Sequence, residues 1–273
     1  MADVPELPEV ETIRRGLERN LVGATVLSID VREPRLRRTV DRRTLASLVG
    51  RKIERVSRRA KYIIADVGDE LVWLMHLGMS GRLLLVPGDE PAAPHEHVRV
   101  DFDRPLTLRY RDPRRFGWMR LARRDALDEL AGLGPEPLDG ELAGTRLRQL
   151  LRGTRRDIKA ALLDQRVVAG IGNIYVNEIL HLAGVRPTRR AHRVRAAELD
   201  AIARATQAVL REAVERRGTS FSDYFDSDGV PGTFQQMLAV FDREGEPCRR
   251  CATPIKRRAQ GGRSSFYCPR CQS

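Results

Sequence analysis

The four cysteines of this 273-residue chain form two C-x-x-C pairs close to its carboxyl terminus. The first pair is Cys248 and Cys251, and the second is Cys268 and Cys271. Each such turn brings two sulfurs together, and four thiolates complete the tetrahedral coordination that Zn²⁺ prefers. Two disulfides or free thiols are the alternative. Because four thiolates leave no position for water, the spacing predicts one structural zinc ion.

The segment between the cysteine pairs, PIKRRAQGGRSSFY, combines cations with a Gly-Gly turn. It predicts a hairpin that presents Lys256, Arg257, Arg258 and Arg263. These side chains could meet a phosphate backbone, or they could form an ordinary solvated face.

The overall charge of the chain is strongly positive. Lys+Arg total 49 against 37 for Asp+Glu, which gives a net charge of +12 and a pI near 10.3. This balance indicates a polyanionic partner, either nucleic acid or an anionic membrane surface. No run approaches the roughly 18 apolar residues that a membrane span needs, and the acidic start does not resemble a secretory signal. We therefore expect a soluble cytoplasmic protein, by default a monomer.

The hydrophobic pattern changes along the chain. Val10, Ile13, Leu17 and Leu21 lie on one face of a predicted helix. Up to about Leu121 the chain then shows β-rich runs, which predict a β-sandwich: TVLSIDV, YIIADV, LVWLMHLGM, HVRVDF and LTLRYRD. Beyond the turn-rich segment GLGPEPLDG the apolar spacing becomes helical. We therefore expect an α+β chain with a sandwich domain at 1–131, a linker at 132–140, a helical domain at 141–241 and a zinc finger at 242–273.

Several short motifs could carry chemistry. In AGIGNIY, Asn173 is the expected helix N-cap, where backbone N–H groups could hold a phosphate, although an ordinary cap has the same pattern. Lys61 enters an apolar strand in RRAKYII. In HLGMSG, His76 ends a strand and Met79 is either core filler or a wedge for a base stack.

Two further motifs extend this set. DPRRFG offers Arg114 and Arg115 to phosphates and Phe116 to a base stack. His95 and His97 could be a metal pair, but the sequence shows no third ligand for them.

Together these motifs resemble one enzyme family. In chain order they are PELPEVE, RRAKY, HLGMSG, RYRDPRRFG, LGPEPL, GIGNIYVNE, SDGVPG and the terminal C-x2-C…GGRSSFYC-x2-C. Over essentially the whole chain they are similar to the formamidopyrimidine-DNA glycosylases, bacterial repair enzymes that remove 8-oxoguanine and ring-opened purines from DNA. Each motif is weak alone, but their ordered combination is specific.

The resemblance implies a fold and a partner. It implies a β-sandwich with an N-terminal helix, and a helical domain with a helix-two-turn-helix element and a zinc finger. Double-stranded DNA containing oxidised purines or abasic sites would lie in the cleft between the domains. The protein would then associate with the bacterial nucleoid.

The resemblance also implies residue roles. Pro5 matches the nucleophile, Glu6 the neighbouring general acid/base, Lys61 a catalytic cation and Arg263 the finger residue of δ-elimination. Met79, Arg114 and Phe116 match the trio that fills the gap left by the everted nucleotide. The remaining matches are DNA contacts, mostly to phosphates: His76, His95, Arg114, Arg155, Asn173 and Arg263. The trio favours this family over the related endonuclease VIII group, which acts on oxidised pyrimidines.

One feature departs from the family pattern. Pro5 follows Met1, Ala2, Asp3 and Val4, so its nitrogen is an amide in the sequence as written. We expect translation to begin at position 4 from an alternative start codon, with Pro5 exposed after methionine removal. If the four residues are retained, the chain would be a catalytically silent zinc-finger DNA-binding paralogue.

Overall fold

The computed structural model describes residues 5–219 and 229–273. The chain divides into two compact units, one formed by Met1–Ala131 with Arg216–Gln235 and the other by Gly132–Glu215 with Gln236–Ser273. The helical domain expected at 141–241 includes Arg216–Gln235, which groups with the first unit.

The first unit is a β-sandwich behind an N-terminal helix, as the sequence predicts. Helix α1 spans Leu7–Leu21, and α2 (Arg42–Ala46) and α3 (Asp128–Ala131) are short. The strands are β1 Val26–Val31, β2 Arg55–Arg59, β3 Tyr62–Asp66, β4 Leu71–His76, β5 Arg82–Pro87, β6 Glu96–Phe102, β7 Leu106–Arg111 and β8 Trp118–Arg123. They form two four-stranded antiparallel sheets, ordered β1-β6-β7-β5 and β2-β3-β4-β8.

The apolar stripe of α1 packs into the core of this sandwich. Val10, Ile13, Leu17 and Leu21 are at most 2% exposed and belong to the same buried cluster as Trp73. Burying such side chains contributes about 1.5–3 kcal/mol each, which holds the helix on the sheets.

The sequence pattern misses three strands, β2, β5 and β8. Strand β2 reads RVSRR and fully buries only Val56, so it has no apolar run to reveal it. It is a strand because its backbone pairs with β3, from Arg55 opposite Asp66 to Arg59 opposite Tyr62.

The second unit contains the predicted helices and the cysteine hairpin. The helices are α4 Gly144–Leu150, α5 Ile158–Leu162, α6 Asn173–Leu182 and α7 Ala196–Glu215. The hairpin strands are β9 Lys256–Gln260 and β10 Arg263–Tyr267, which pair in antiparallel register. Asn177 in α6 accepts the Phe266 N–H at 3.0 Å, which attaches the hairpin to the helix.

A buried carboxylate orders the segment that leads into the cysteine module. Glu178 in α6 accepts the backbone N–H groups of Ala239, Val240 and Phe241 at 2.7–3.0 Å. Burial raises the pKa of Glu178, while the three N–H groups act in the opposite direction.

Among the described residues, no helix is both long and apolar enough to cross a lipid bilayer.

Candidate DNA-processing residues and zinc site

Pro5 and Glu6 lie directly before α1, and both are buried. The helix begins here because Glu9 accepts the Glu6 backbone N–H at 2.9 Å, which satisfies a donor that the first turn leaves open. The positive end of the helix dipole therefore lies beside Pro5. A carboxylate is favoured at this position, and an additional positive charge is not.

Glu9 also contacts residue 219 of the same unit. Its Oε1 accepts the Thr219 N–H at 2.8 Å and lies 3.0 Å from the Thr219 hydroxyl. The preceding Gly218 has φ +79°, and a Cβ there would lie 2.5 Å from Glu9 Oε1. The approach therefore requires glycine at 218. The family resemblance also implies a segment that contacts the everted base, residues 219–232 with the SDGVPG motif. Residues 220–228 of this segment lie outside the residues that the structure describes.

Lys61 lies in a tight turn, whereas the sequence predicts that it lies in or enters a strand. Ala60 and Lys61 connect β2 to β3, and Ala60 has φ +52°. The difference arises because the pairing of Arg59 with Tyr62 closes the hairpin and leaves Lys61 at its tip, half-buried.

His76 ends β4, as expected, and its ring is held in one orientation. Its Nδ1 accepts the Gly78 N–H at 3.1 Å, which leaves Nε2 to carry the proton of the neutral ring. Burial lowers the pKa of His76 to about 4, and the charges of Lys61, Arg37 and Arg38 act in the same direction. At neutral pH the ring is therefore an uncharged N–H donor.

Met79 and Phe116 lie in two turns that touch. Met79 lies in the turn after β4 and is half-buried. A Cβ on Gly78 would lie 2.3 Å from the backbone carbon of Phe116, so the two turns meet backbone to backbone. Phe116 is 40% exposed, and the guanidinium of Arg114 lies 4.9 Å from its ring centroid. An exposed aromatic ring with a cation above it can stack on a base.

His95, which precedes β6, and His97, which lies in β6, do not form a metal pair. His95 is exposed with φ +62°, whereas His97 is buried with Nε2 2.8 Å from the Asp112 carbonyl oxygen. Within residues 5–219 and 229–273, the four cysteines are the one group of His, Cys, Asp and Glu arranged to hold a metal ion.

The second unit places its predicted phosphate-contacting residues at exposed positions and a helix end. Arg155 and Arg263 are exposed. Arg263 lines a pocket of about 300 Å³ together with Arg156, Lys159 and Arg190. The sequence predicts Asn173 as the N-cap of α6, but Asn173 is the first residue of the helix and Gly172 is its N-cap. Gly172 takes this position because its backbone is extended and it directly precedes the first helical turn.

The four cysteines meet in space with the geometry of a zinc site. Their sulfurs all lie within 4.8 Å of one another, with Cys248 to Cys271 at 3.9 Å and Cys251 to Cys268 at 3.5 Å. Zn–S bonds of about 2.3 Å give tetrahedral S–S edges of about 3.8 Å, so the cluster fits Zn²⁺. The backbone N–H groups of Arg250 and Cys271 donate to the sulfurs of Cys248 and Cys268 at 3.5 and 3.4 Å, which helps to fix the positions of these two sulfurs.

Two residues of these sites have no role in the sequence prediction. Glu9 could have been found from its position three residues after Glu6, which is the spacing of a capping box. Asp112 has no local signal for its link to the other turn, because Ser80 lies 32 residues away in the sequence.

Three family models match consecutive parts of the chain. Residues 4–119 match the formamidopyrimidine-DNA glycosylase N-terminal domain, and residues 133–224 match the H2TH domain of the same family. Residues 245–273 match a zinc finger found in FPG and IleRS.

Relatives match over nearly the whole length of the chain. The formamidopyrimidine-DNA glycosylase of Hahella chejuensis is 42% identical over 271 residues, which cover 98% of this chain and 100% of the relative. A Lactococcus lactis FPG mutant, solved in complex with DNA containing Fapy-dG, superposes with a TM-score of 0.92 at 34% identity, covering 98% of this chain and all of the other. The Lactococcus lactis Fpg in complex with DNA containing an abasic site superposes with a TM-score of 0.91 at 34% identity, covering 98% of this chain and 99% of the other.

Proposed function

This chain belongs to the formamidopyrimidine-DNA glycosylase family, and we propose that Pro5 and Glu6 perform its chemistry on oxidised purine nucleosides in double-stranded DNA. The protein is a DNA glycosylase of base excision repair with a structural zinc ion, and abasic-site lyase activity is part of the family. The observation that carries the proposal is the position of Pro5 and Glu6, buried beside the first turn of α1.

The first step is base removal. A free Pro5 amine attacks C1′ of the damaged nucleoside, the N-glycosidic bond breaks, and the base leaves with a proton. An α-amino group has a pKa of about 7.7–8.0 against about 10.4 for lysine, so more of it is neutral and nucleophilic near pH 7. Glu6, next in the chain, supplies and removes the protons.

The second step is strand cleavage. The adduct at C1′ then opens the sugar ring: the C1′–O4′ bond breaks, and O4′ takes a proton from Glu6. Because the Pro5 amine is secondary, the product is a charged iminium, which withdraws electrons from the sugar. Loss of the C2′ proton expels the 3′ phosphate, and a second elimination expels the 5′ phosphate. Hydrolysis of the iminium then frees Pro5. We assign Lys61 and Arg263 to stabilising the negative charge of the sugar phosphates during these steps.

This chemistry requires Pro5 as a free terminal amine, so we infer that the active form begins there. In support, the first family match begins at residue 4, one residue before Pro5. With an acylated Pro5 nitrogen, the lone pair is delocalised into the amide and cannot form the bond to C1′.

The remaining candidate residues are proposed to bind DNA. His76, His95, Arg114, Arg155, Asn173 and Arg263 contact the backbone, and Met79, Arg114 and Phe116 fill the gap left by the everted nucleotide. We assign catalysis to residues 1–131, DNA binding to 141–241 and 242–273, and the role of a linker to 132–140. A cytoplasmic, nucleoid-associated location follows from this substrate, and the relatives come from bacteria.

Borohydride trapping tests the proposal, because it reduces an iminium to a permanent protein–DNA link. The substrate is a duplex with 8-oxoguanine opposite cytosine, and the two proteins are the chain as written and the chain starting at Pro5. We expect trapping only with a free Pro5. If neither protein is trapped while both bind DNA, the silent paralogue replaces this account. Faster excision of thymine glycol than of 8-oxoguanine would favour an endonuclease VIII-like specificity.

A further inference from the structure

The side chains that we assign to gap filling come from two separate turns. Met79 lies between β4 and β5, and Arg114 and Phe116 lie between β7 and β8. His95, assigned to a phosphate, precedes β6. Inserting such side chains together into one gap requires the turns to keep a fixed relative position, since a misplacement of about 1 Å can cost about 100-fold in rate.

A single buried carboxylate connects the two gap-filling turns. Asp112 has no solvent exposure. Its Oδ1 accepts the Ser80 hydroxyl at 2.5 Å, next to Met79, and its Oδ2 accepts the Gly117 N–H at 2.8 Å, next to Phe116. The Ser80 oxygen in turn accepts the Arg114 N–H at 3.1 Å, so the turns are cross-linked twice.

The backbone of Asp112 extends the same connection to the third turn. Its N–H donates to the His95 carbonyl oxygen at 3.0 Å, and its own carbonyl oxygen lies 2.8 Å from the His97 ring nitrogen. One residue therefore contacts all three segments that carry the candidate DNA-contacting side chains of this region.

Tyr110 completes the shell around the carboxylate. Its hydroxyl donates to Asp112 Oδ2 at 2.9 Å, and burial together with the Asp112 charge raises the pKa of Tyr110. The hydroxyl therefore remains a donor. The backbone packs closely at this point, because a Cβ on Gly117 would lie 1.9 Å from the Tyr110 oxygen and 2.7 Å from the His76 carbonyl oxygen.

We propose that Asp112 is a positioning residue that holds Met79, Arg114 and Phe116 in the relative arrangement needed to fill the gap in the duplex. This inference rests on the proposed function, and it adds a residue that itself has no contact with DNA. Asp112 therefore matters where a base stack must be filled and not where the chemistry alone is tested.

The test compares two substrates. The first is a duplex with 8-oxoguanine opposite cytosine, in which a gap must be filled, and the second is a single-stranded oligonucleotide with an abasic site, which has no opposing strand. For Asp112→Asn we expect a roughly ten-fold slower excision in the duplex, equivalent to about 1.4 kcal/mol. Borohydride trapping on the single strand should stay within roughly two-fold of the parent.

Two further variants keep the test decisive if Asp112→Asn folds poorly. Ser80→Ala removes the link on the Met79 side and should produce the same selective loss in the duplex, with no additional loss in the double variant. Asp101→Asn is the matched control, since Asp101 accepts the Ser28 and Thr107 hydroxyls at 2.7 Å elsewhere in the same sandwich. It should leave the ratio of the two activities unchanged.

The outcomes separate this inference from the proposed function. An equal loss on both substrates, or no loss on either, would overturn the positioning role of Asp112. Failure of the parent, starting at Pro5, to be trapped on the single strand would instead overturn the proposed function.

Discussion

The carboxylate of Glu9 accepts a hydrogen bond of 2.8 Å from the backbone N–H of Thr219, 210 residues further along the chain. The same carboxylate caps the helix that begins after Pro5 and Glu6. Glu9 therefore connects the helix start beside the proposed nucleophile, Pro5, to Thr219, the first residue of the segment 219–232.

Replacing Glu9 with glutamine should slow excision without abolishing DNA binding. The amide cannot accept at both of its terminal atoms, so either the Glu6 or the Thr219 N–H loses its partner. We expect about a 10- to 100-fold lower single-turnover rate, from a loss of roughly 1.5–3 kcal/mol. Glu18→Gln in the same helix, which removes an exposed pair with Arg14, is the control and should not change the rate.

Replacing Glu6 with glutamine should separate base excision from strand cleavage. Departure of the base needs proton transfer, which an amide cannot provide, so excision of 8-oxoguanine should fall by about 100- to 10,000-fold. A preformed abasic site has no base to expel, so borohydride trapping on it should persist. Equal loss on both substrates would mean that Glu6 serves another step.

Removing zinc should unfold the cysteine module and leave the sandwich intact. Both tryptophans, Trp73 and Trp118, lie in the first unit, so their fluorescence reports on that unit alone. With a chelator we expect loss of hydrogen-exchange protection in β9 and β10 and weaker DNA binding, with unchanged tryptophan fluorescence. Metal analysis of a Cys251→Ser variant should show the loss of zinc, and full metal content in that variant would contradict the assignment.

Lys159 should stabilise the attachment of the finger hairpin. It is 1% exposed, and its Nζ donates to the Ser264 carbonyl oxygen at 2.6 Å and to the Ser265 hydroxyl at 2.8 Å. Lys159→Met keeps the apolar stem but leaves these acceptors without this donor, which should lower the unfolding free energy of the second unit by about 1–3 kcal/mol. Lys256→Met, at an exposed lysine of the same hairpin, is the control for urea denaturation.

The stability of the protein should fall as the pH drops from about 6.5 to 4, partly because of His76. Its pKa is about 4 when folded and about 6.5 when unfolded, so between these values only the unfolded chain takes up the proton. The contribution, up to roughly 3 kcal/mol, is fully present above pH 6.5 and lost toward pH 4.

The variant His76→Asn tests this pH dependence, because the amide oxygen can replace Nδ1 as acceptor of the Gly78 N–H without titrating. Urea denaturation across this range should show a flatter profile for the variant than for the parent. The same replacement at His192, which is exposed, is the comparison. Parallel profiles for the parent and His76→Asn would contradict the prediction.

The local patterns of the sequence were sufficient for much of this molecule. The spacing of the cysteines predicted the metal site, because a C-x-x-C turn brings its own sulfurs together. The apolar periodicity predicted α1 and the change from sheet to helix, because burial of one face is a property of neighbouring residues.

The tertiary structure decided what depends on distant atoms. Strand β2 exists through its pairing with β3, and Lys61 lies at a hairpin tip because that pairing closes at Arg59 and Tyr62. Asp112 acquires Ser80 from a turn that only the sandwich brings close to it, and Glu9 acquires Thr219 in the same way. A carboxylate in a sequence shows its charge and reach, but the donors that surround it are chosen by the packing of the folded chain.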